Sequence, residues 1–194
     1  MYEVIGSPTS RAFRVMWMLE ELGQPYSVTK AAPRSEEVRA LNPSGKVPVL
    51  KDGDNVITDS TAIITYLADK HGAFTFPAGT IERAQQDAFT NCILDEIDAV
   101  LWTATRHSFI LPEDKRVPDV KESLKWEFDR NLSRIISQAK GPYLMGDTFT
   151  VPDIILSHCG AWARSAKFPS DNEGFRAYLK RCRARDAFQK LTAG

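Results

Sequence analysis

The run Asn42-Pro43-Ser44-Gly45-Lys46-Val47-Pro48-Val49-Leu50 sets a proline at the mouth of an apolar strand. Proline has no N–H to give to a β-ladder, so Pro48 is tolerated there only at a sheet edge or a strand start. With a trans bond it is an ordinary turn proline. With a cis Val47–Pro48 bond, the Val47 N–H and C=O turn outward, where they would pair antiparallel with the backbone of a peptide-like ligand. Local sequence leaves both readings open.

The flanking segments give this strand its context. Residues 2–6 and 25–29 read as short strands, and 10–22 as a helix closed by Gly23. That helix is apolar on two faces, Phe13, Met16 and Trp17 on one and Val15, Leu19 and Leu22 on the other. A helix apolar nearly all round is covered on both sides, here by a sheet and a second domain. Residues 35–41 form a short helix with Glu36 and Glu37 in its first turn. Residues 47–51 and 56–58 are strands joined by the turn Asp52-Gly53-Asp54-Asn55, and 60–70 is a helix. The order β-α-β-α-β-β-α predicts a mixed four-stranded sheet with right-handed crossovers. After a linker at 76–79, helical patterns run through 80–110, 118–139, 151–166, 173–183 and 185–193. The expected organisation is therefore an α/β domain over 1–75 and an all-helical domain over 80–194.

Two further segments of the first domain carry chemistry. In Thr58-Asp59-Ser60-Thr61, Ser60 is a suitable N-cap, and the helix behind it offers free N–H groups and a positive dipole end to a carboxylate. Asp59 beside it is placed to hold an ammonium, and together they fit the head of an α-amino acid. A plain helix cap is the alternative. In Ser7-Pro8-Thr9-Ser10-Arg11-Ala12, a hydroxyl lies just before a helix N-terminus, where it would stabilise an anion such as a thiolate. There is no G-x-S-x-G elbow, and His71, His107 and His158 form no triad pattern. Ser7 therefore reads as a hydrogen-bond donor and not as a nucleophile. The alternative makes Ser7 a turn residue and Ser10 the helix cap.

Composition narrows the function. The 194-residue chain has 25 basic and 25 acidic side chains. Residues 1–76 alone carry 8 and 9, so neither half is a phosphate-backbone binder. The cluster Lys180, Arg181, Arg183 and Arg185 reads as a solvated helix face, and nucleic acid is not an expected partner. No apolar run is long enough to span a membrane, and no basic stretch followed by an apolar run opens the chain, so a cytoplasmic protein is expected. Cys92, Cys159 and Cys182 are scattered and odd in number, which fits neither a disulfide framework nor a metal site.

Taken together, Ser7, the Asn42–Leu50 run and Asp59-Ser60 resemble the soluble glutathione S-transferases with an active-site serine, the theta- and zeta-like classes. The likeness extends to Asp147–Ile154, where Thr150 and Asp153 make a capping box and Phe149 and Ile154 a hydrophobic staple. It also extends to Arg183–Phe188, where Asp186 replaces a more usual proline. The resemblance implies a thioredoxin-like domain joined to a helical one, glutathione as cosubstrate, no metal, and a homodimer.

It also implies roles. Val47, before Pro48, would pair with the cysteinyl backbone of glutathione. Ser60 would take the γ-glutamyl carboxylate, Asp59 the ammonium and Lys46 the glycyl carboxylate. Ser7 would donate to the sulfur and favour the thiolate, which attacks a small electrophile. Ser10 is the substitute donor, and Arg11 another group near the sulfur. Phe13, Trp102, Arg106 and Phe109 are candidates for the electrophile wall, with ordinary core and surface roles as the alternative. A thiol-dependent reductase would need a cysteine at position 7, and the first domain has none. A glutathione-dependent isomerase and a non-catalytic binding module on this fold remain as rivals.

Overall fold

A computed structural model describes residues 1–193. Two compact units are present, one formed by residues 1–78 with the tail from Ala184 onward, the other by residues 79–183.

The first unit is built on a four-stranded sheet in the order β2-β1-β3-β4, from β1 (Tyr2–Ile5), β2 (Tyr26–Thr29), β3 (Val49–Asp52) and β4 (Asn55–Thr58). β1 and β2 are parallel, as a crossover through α1 (Ala12–Glu21) requires. β1–β3 and β3–β4 are antiparallel. The mixed sheet predicted from the element order is therefore present. Gly53, at φ 59°, supplies the left-handed residue of the tight β3–β4 turn. β3 starts at Val49, two residues later than the sequence suggests, because Pro48 has no N–H for the ladder.

Val4 and Leu50 point to the face covered by α1 and α3 (Ser60–His71), where Val15, Leu19, Ile63, Ile64 and Leu67 are likewise essentially inaccessible to solvent, and their neighbours Ile5 and Val49 point to the opposite face. α2 (Glu36–Leu41) adds Val38 on the other side of the sheet. The second apolar face of α1 is covered by α9 (Asp186–Thr192), which the helical pattern had assigned to the second domain. Phe188 of α9 meets Trp17 edge to face at 4.8 Å and Phe13 at 5.6 Å. A bidentate ion pair from Arg185 to Glu21, at 2.6 and 2.7 Å, fixes the junction. The domain boundary expected at 80–194 is thus corrected at its far end.

The second unit contains α4 (Ile81–Ile93), α5 (Ala99–Thr105), α6 (Val120–Ser137), α7 (Val151–Ser165) and α8 (Glu173–Arg183). The single helix expected over 80–110 is interrupted by two wide π-turns, Leu94–Asp98 and Arg106–Ile110. In the first, the adjacent residues Ile97 and Asp98 are both buried. The capping box is formed. The Asp153 carboxylate accepts from the Thr150 N–H at 2.8 Å, the Thr150 hydroxyl at 3.0 Å, the Leu144 N–H at 3.0 Å and the Tyr178 hydroxyl at 2.8 Å. Burial raises the pKa of this carboxyl, and the four donors oppose the rise. Among the described residues, no helix is long and apolar enough to cross a membrane.

Candidate active site

The sheet register explains why distant segments share one site. Ile5 pairs with Val49, and Val49 pairs with Thr58, so the three lie in one row across the sheet. β1 and β4 run one way and β3 the other. The residues after Ile5, before Val49 and after Thr58 therefore leave the sheet at the same end. Those residues are Gly6-Ser7, Val47-Pro48 and Asp59-Ser60. All three segments belong to the first unit.

Gly6 lets two of them touch. At φ 141° a side chain is strained, and a Cβ there would lie 3.0 Å from the Ala12 Cβ and 3.2 Å from the Val47 Cβ. The Ser7 loop is thereby held against Val47.

The Val47–Pro48 bond is cis, resolving the alternative left open by the sequence. Val47 is half-buried, and neither its N–H nor its C=O bonds to another group among the described residues. The preceding loop is braced by Asn42, which is nearly buried. Its Nδ2 donates to the Lys46 C=O at 2.9 Å, and its Oδ1 accepts from the Ser44 hydroxyl at 2.8 Å. Lys46 itself is exposed.

At α3 the capping assignment changes. Asp59, not Ser60, is the N-cap. It adopts φ 73°, unusual for a residue with a side chain, and its Oδ1 accepts from the Thr61 and Ala62 N–H groups at 2.9 and 3.1 Å. Two N–H groups expected to face a ligand are therefore already occupied. Ser60 is the first helical residue and is buried, with its Oγ accepting from Arg14 Nη1 at 3.3 Å. Arg14 is fully buried, and its charge beside Ser60 favours an anion at this helix start. The sequence reading missed Arg14. The available signal was a guanidinium in the middle of a helix otherwise apolar on two faces.

In the first loop, Ser7 is half-buried. Its Oγ accepts from the Thr9 N–H at 3.2 Å and shares a 2.8 Å hydrogen bond with Thr9 Oγ1. Ser10 is differently engaged, its hydroxyl donating to the Ser7 C=O at 2.7 Å and accepting from the Ala12 N–H at 3.1 Å. Its one proton is directed into the loop, and its oxygen accepts from the first N–H of α1, whose N-cap is Arg11. Arg11 is half-buried at the helix start.

The electrophile-wall candidates do not form one group within either unit. Phe13 is packed between Trp17 and Phe188 in the first unit. Trp102, Arg106 and Phe109 follow one another along α5 and the second π-turn of the other unit. Trp102 and Arg106 are half-buried, Arg106 donates to Thr103 Oγ1 at 3.0 Å, and Phe109 is 65% exposed.

A β-α-β unit, an antiparallel hairpin, a cis-proline before β3 and a helix-start site beside it define a thioredoxin-like domain, here followed by a helical one. Residues 1–75 match the family model described as "Glutathione S-transferase, N-terminal domain". The chain is 32% identical over 188 residues to "Glutathione S-transferase 1" of Dianthus caryophyllus, covering 90% of this chain and 85% of that protein. It is 28% identical to "Glutathione S-transferase 1" of Manduca sexta over 100% of this chain and 91% of that one. The crystal structure of the theta class glutathione S-transferase of Xanthomonas axonopodis pv. citri with glutathione bound superposes with a TM-score of 0.80 at 27% identity, covering 100% of this chain and 97% of that chain. The protein belongs to the glutathione S-transferase family.

Proposed function

We propose that the chain binds glutathione at the shared sheet end of its first unit, holds the thiol as thiolate through Ser7, and transfers it to a small hydrophobic electrophile. The observation that carries this reading is the row Ile5, Val49, Thr58, which brings a hydroxyl, an open main-chain pair and a helix start to one place. The glutathione-bound relative of the theta class supports the choice of cosubstrate.

In this reading the Val47 N–H and C=O pair with the cysteinyl residue of the tripeptide beside Pro48. The γ-glutamyl carboxylate is met by the Ser60 hydroxyl and main-chain N–H, with Arg14 behind them. Asp59 takes the ammonium through Oδ2, since Oδ1 serves the helix. Lys46 meets the glycyl carboxylate. Ser7 donates to the sulfur, and the thiol proton passes to water. The thiolate then forms a C–S bond, by addition to the electrophile or with departure of its leaving group. Each pKa unit of thiol activation corresponds to about 1.4 kcal/mol of preference for the anion. Ser10 is the weaker candidate because its proton is already given to the Ser7 C=O. Arg11 adds positive charge near the sulfur. A detoxifying role toward such electrophiles is also proposed. The protein is further proposed to be a cytoplasmic homodimer that uses no metal.

Replacing Ser7 tests the mechanism. Ser7→Ala is expected to bind glutathione normally at pH below the bound-thiol pKa, to raise that pKa, and to lower kcat/KM with an aryl halide about 10- to 100-fold, the value of one hydrogen bond to a charged group. Binding of glutathione by the wild type without any fall in thiol pKa would sink the transferase mechanism and leave a binding module. Activation without aryl-halide turnover would favour an isomerase.

A further inference from the structure

We propose that Thr9 is a positioning residue for the reaction, acting by making Ser7 a donor only. The inference rests on the role assigned to Ser7 above. A hydroxyl oxygen has one proton to give and two lone pairs that accept. The Thr9 N–H, 3.2 Å from Ser7 Oγ, fills one lone pair. Thr9 Oγ1, 2.8 Å away, either receives the Ser7 proton or fills the second lone pair. With no ligand, both arrangements are open. Once the Ser7 proton points at a sulfur, only the second remains, and Thr9 donates to Ser7 twice.

This arrangement discriminates between the two forms of the cosubstrate. A neutral thiol interacts with Ser7 either by donating its S–H or by accepting. A thiolate only accepts. When Thr9 occupies both lone pairs of Ser7 Oγ, Ser7 has no acceptor left for an S–H, and its sole outward interaction is donation to sulfur. The pair Thr9–Ser7 therefore stabilises the thiolate over the thiol, beyond what a lone serine does. The chain Thr9 O–H to Ser7 O–H to sulfur also polarises Ser7, because successive hydrogen bonds strengthen one another.

Neighbouring groups leave this task to Thr9. The Ser10 hydroxyl is committed to the Ser7 C=O and the Ala12 N–H, and the Ser10 N–H donates to the same carbonyl at 2.9 Å. These bonds hold the Ser7 main chain still while Thr9 sets the direction of its hydroxyl. Thr9 lies on the exposed side of the turn. It has no packing role that would make the hydroxyl indispensable to folding.

The experiment compares Thr9→Val, which removes Oγ1 and keeps the main-chain N–H, with Thr9→Ser, which keeps both. Titration of thiolate absorbance in the glutathione complex gives the thiol pKa, and aryl-halide turnover gives its kinetic counterpart. Thr9→Val is expected to raise the bound-thiol pKa by up to about one unit and to lower kcat/KM about two- to tenfold below that pKa, with the loss recovered as pH rises. Glutathione affinity measured below the bound-thiol pKa, where the thiol form is bound, and the thermal midpoint should stay at wild-type values, and Thr9→Ser should restore the profile. In a Ser7→Ala background, Thr9→Val should add nothing. A Thr9→Val profile identical to wild type, a change confined to KM or to the thermal midpoint, or failure of Thr9→Ser to rescue overturns the inference. Ser7→Ala measured alongside separates the two ideas. A Ser7→Ala complex with an unshifted thiol pKa defeats the role of Ser7 itself, whereas a shift in Ser7→Ala without one in Thr9→Val defeats only the role of Thr9.

Discussion

Gly6 shows how a single atom constrains the site. Its φ of 141° is open to glycine and strained for other residues, and the space a Cβ would take is held by Ala12 and Val47. Gly6→Ala is expected to lower stability by about 1–3 kcal/mol and to push the Ser7 loop away from Val47. Chemical denaturation measures the first effect, and the bound-thiol pKa, rising toward that of free glutathione, measures the second. A variant with wild-type stability would show that the loop absorbs the methyl without cost. Ser7, Val47, Pro48, Asp59 and Ser60 were all legible as residues with something to do, because each sits at a sequence position where backbone rules restrict the choice. Their division of labour was not. Capping by Asp59 depends on its positive φ, and the commitment of Ser10 depends on the path of a turn, neither of which is written in residue identity. Thr9 and Arg14 were missed for related reasons. A threonine in a turn carries no signal of its neighbour's hydrogen-bond needs. An arginine among apolar residues signals burial only when its partner, here Ser60, 46 positions away, is known.

Among the elements, α9 is the one whose placement the pattern misjudged. It is short, with no buried residues of its own, and it is held by side chains at its edges. Arg185 grips Glu21, whose side chain is only 6% exposed and also accepts from Trp17 Nε1 at 2.9 Å. Lys190 pairs with Glu20, which accepts from the Tyr26 hydroxyl at 3.0 Å. Burial and the adjacent Glu20 raise the pKa of that phenol, so it remains a donor through the physiological range. Arg185→Met keeps the stem and loses the fork, leaving Glu21 largely buried without its cation. The expected cost is about 1–3 kcal/mol, with faster amide exchange over 186–192 in native-state measurements. Unchanged exchange there would mean that Phe188 alone docks the helix. Arg185 and Glu21 are 164 positions apart, so no periodicity relates them. In the basic run at 180–185, Lys180 and Arg181 are exposed, whereas Arg183 and Arg185 are half-buried, and the pairing of Arg185 lay beyond local reasoning.

At the scale of the whole molecule, the three cysteines acquire a meaning. None lies in the first unit, and none forms a disulfide among the described residues. Cys182 is inaccessible, and burial pushes its thiol up to about 11. Its thiolate fraction at pH 8 is then about one in a thousand, and it rises as pH climbs through that value. Cys92 is half-buried and is raised in the same direction by burial. Alkylation followed by mass mapping at pH 8 is expected to label Cys92 first and Cys182 only as the protein unfolds. Rapid native labelling of Cys182 would show that α8 opens readily. The proposed homodimer is checked by light scattering, which should return twice the 21.7 kDa chain mass. A value of 21.7 kDa would refute it.

Sequence by itself determined the order of the elements, the mixed sheet, the helical second half and the identity of the segments that carry chemistry. Each of these follows from rules that act over a few residues: proline's missing donor, hairpin turn chemistry, helix periodicity and capping. Only the tertiary structure decided that Ile5, Val49 and Thr58 share a row, that the Val47–Pro48 bond is cis, that Asp59 is the helix cap, and that α9 returns to the first unit. Several of these rest on contacts between distant residues, Gly6 with Val47 and Arg185 with Glu21 among them. Such contacts form when burial and pairing across the whole fold outweigh local preference.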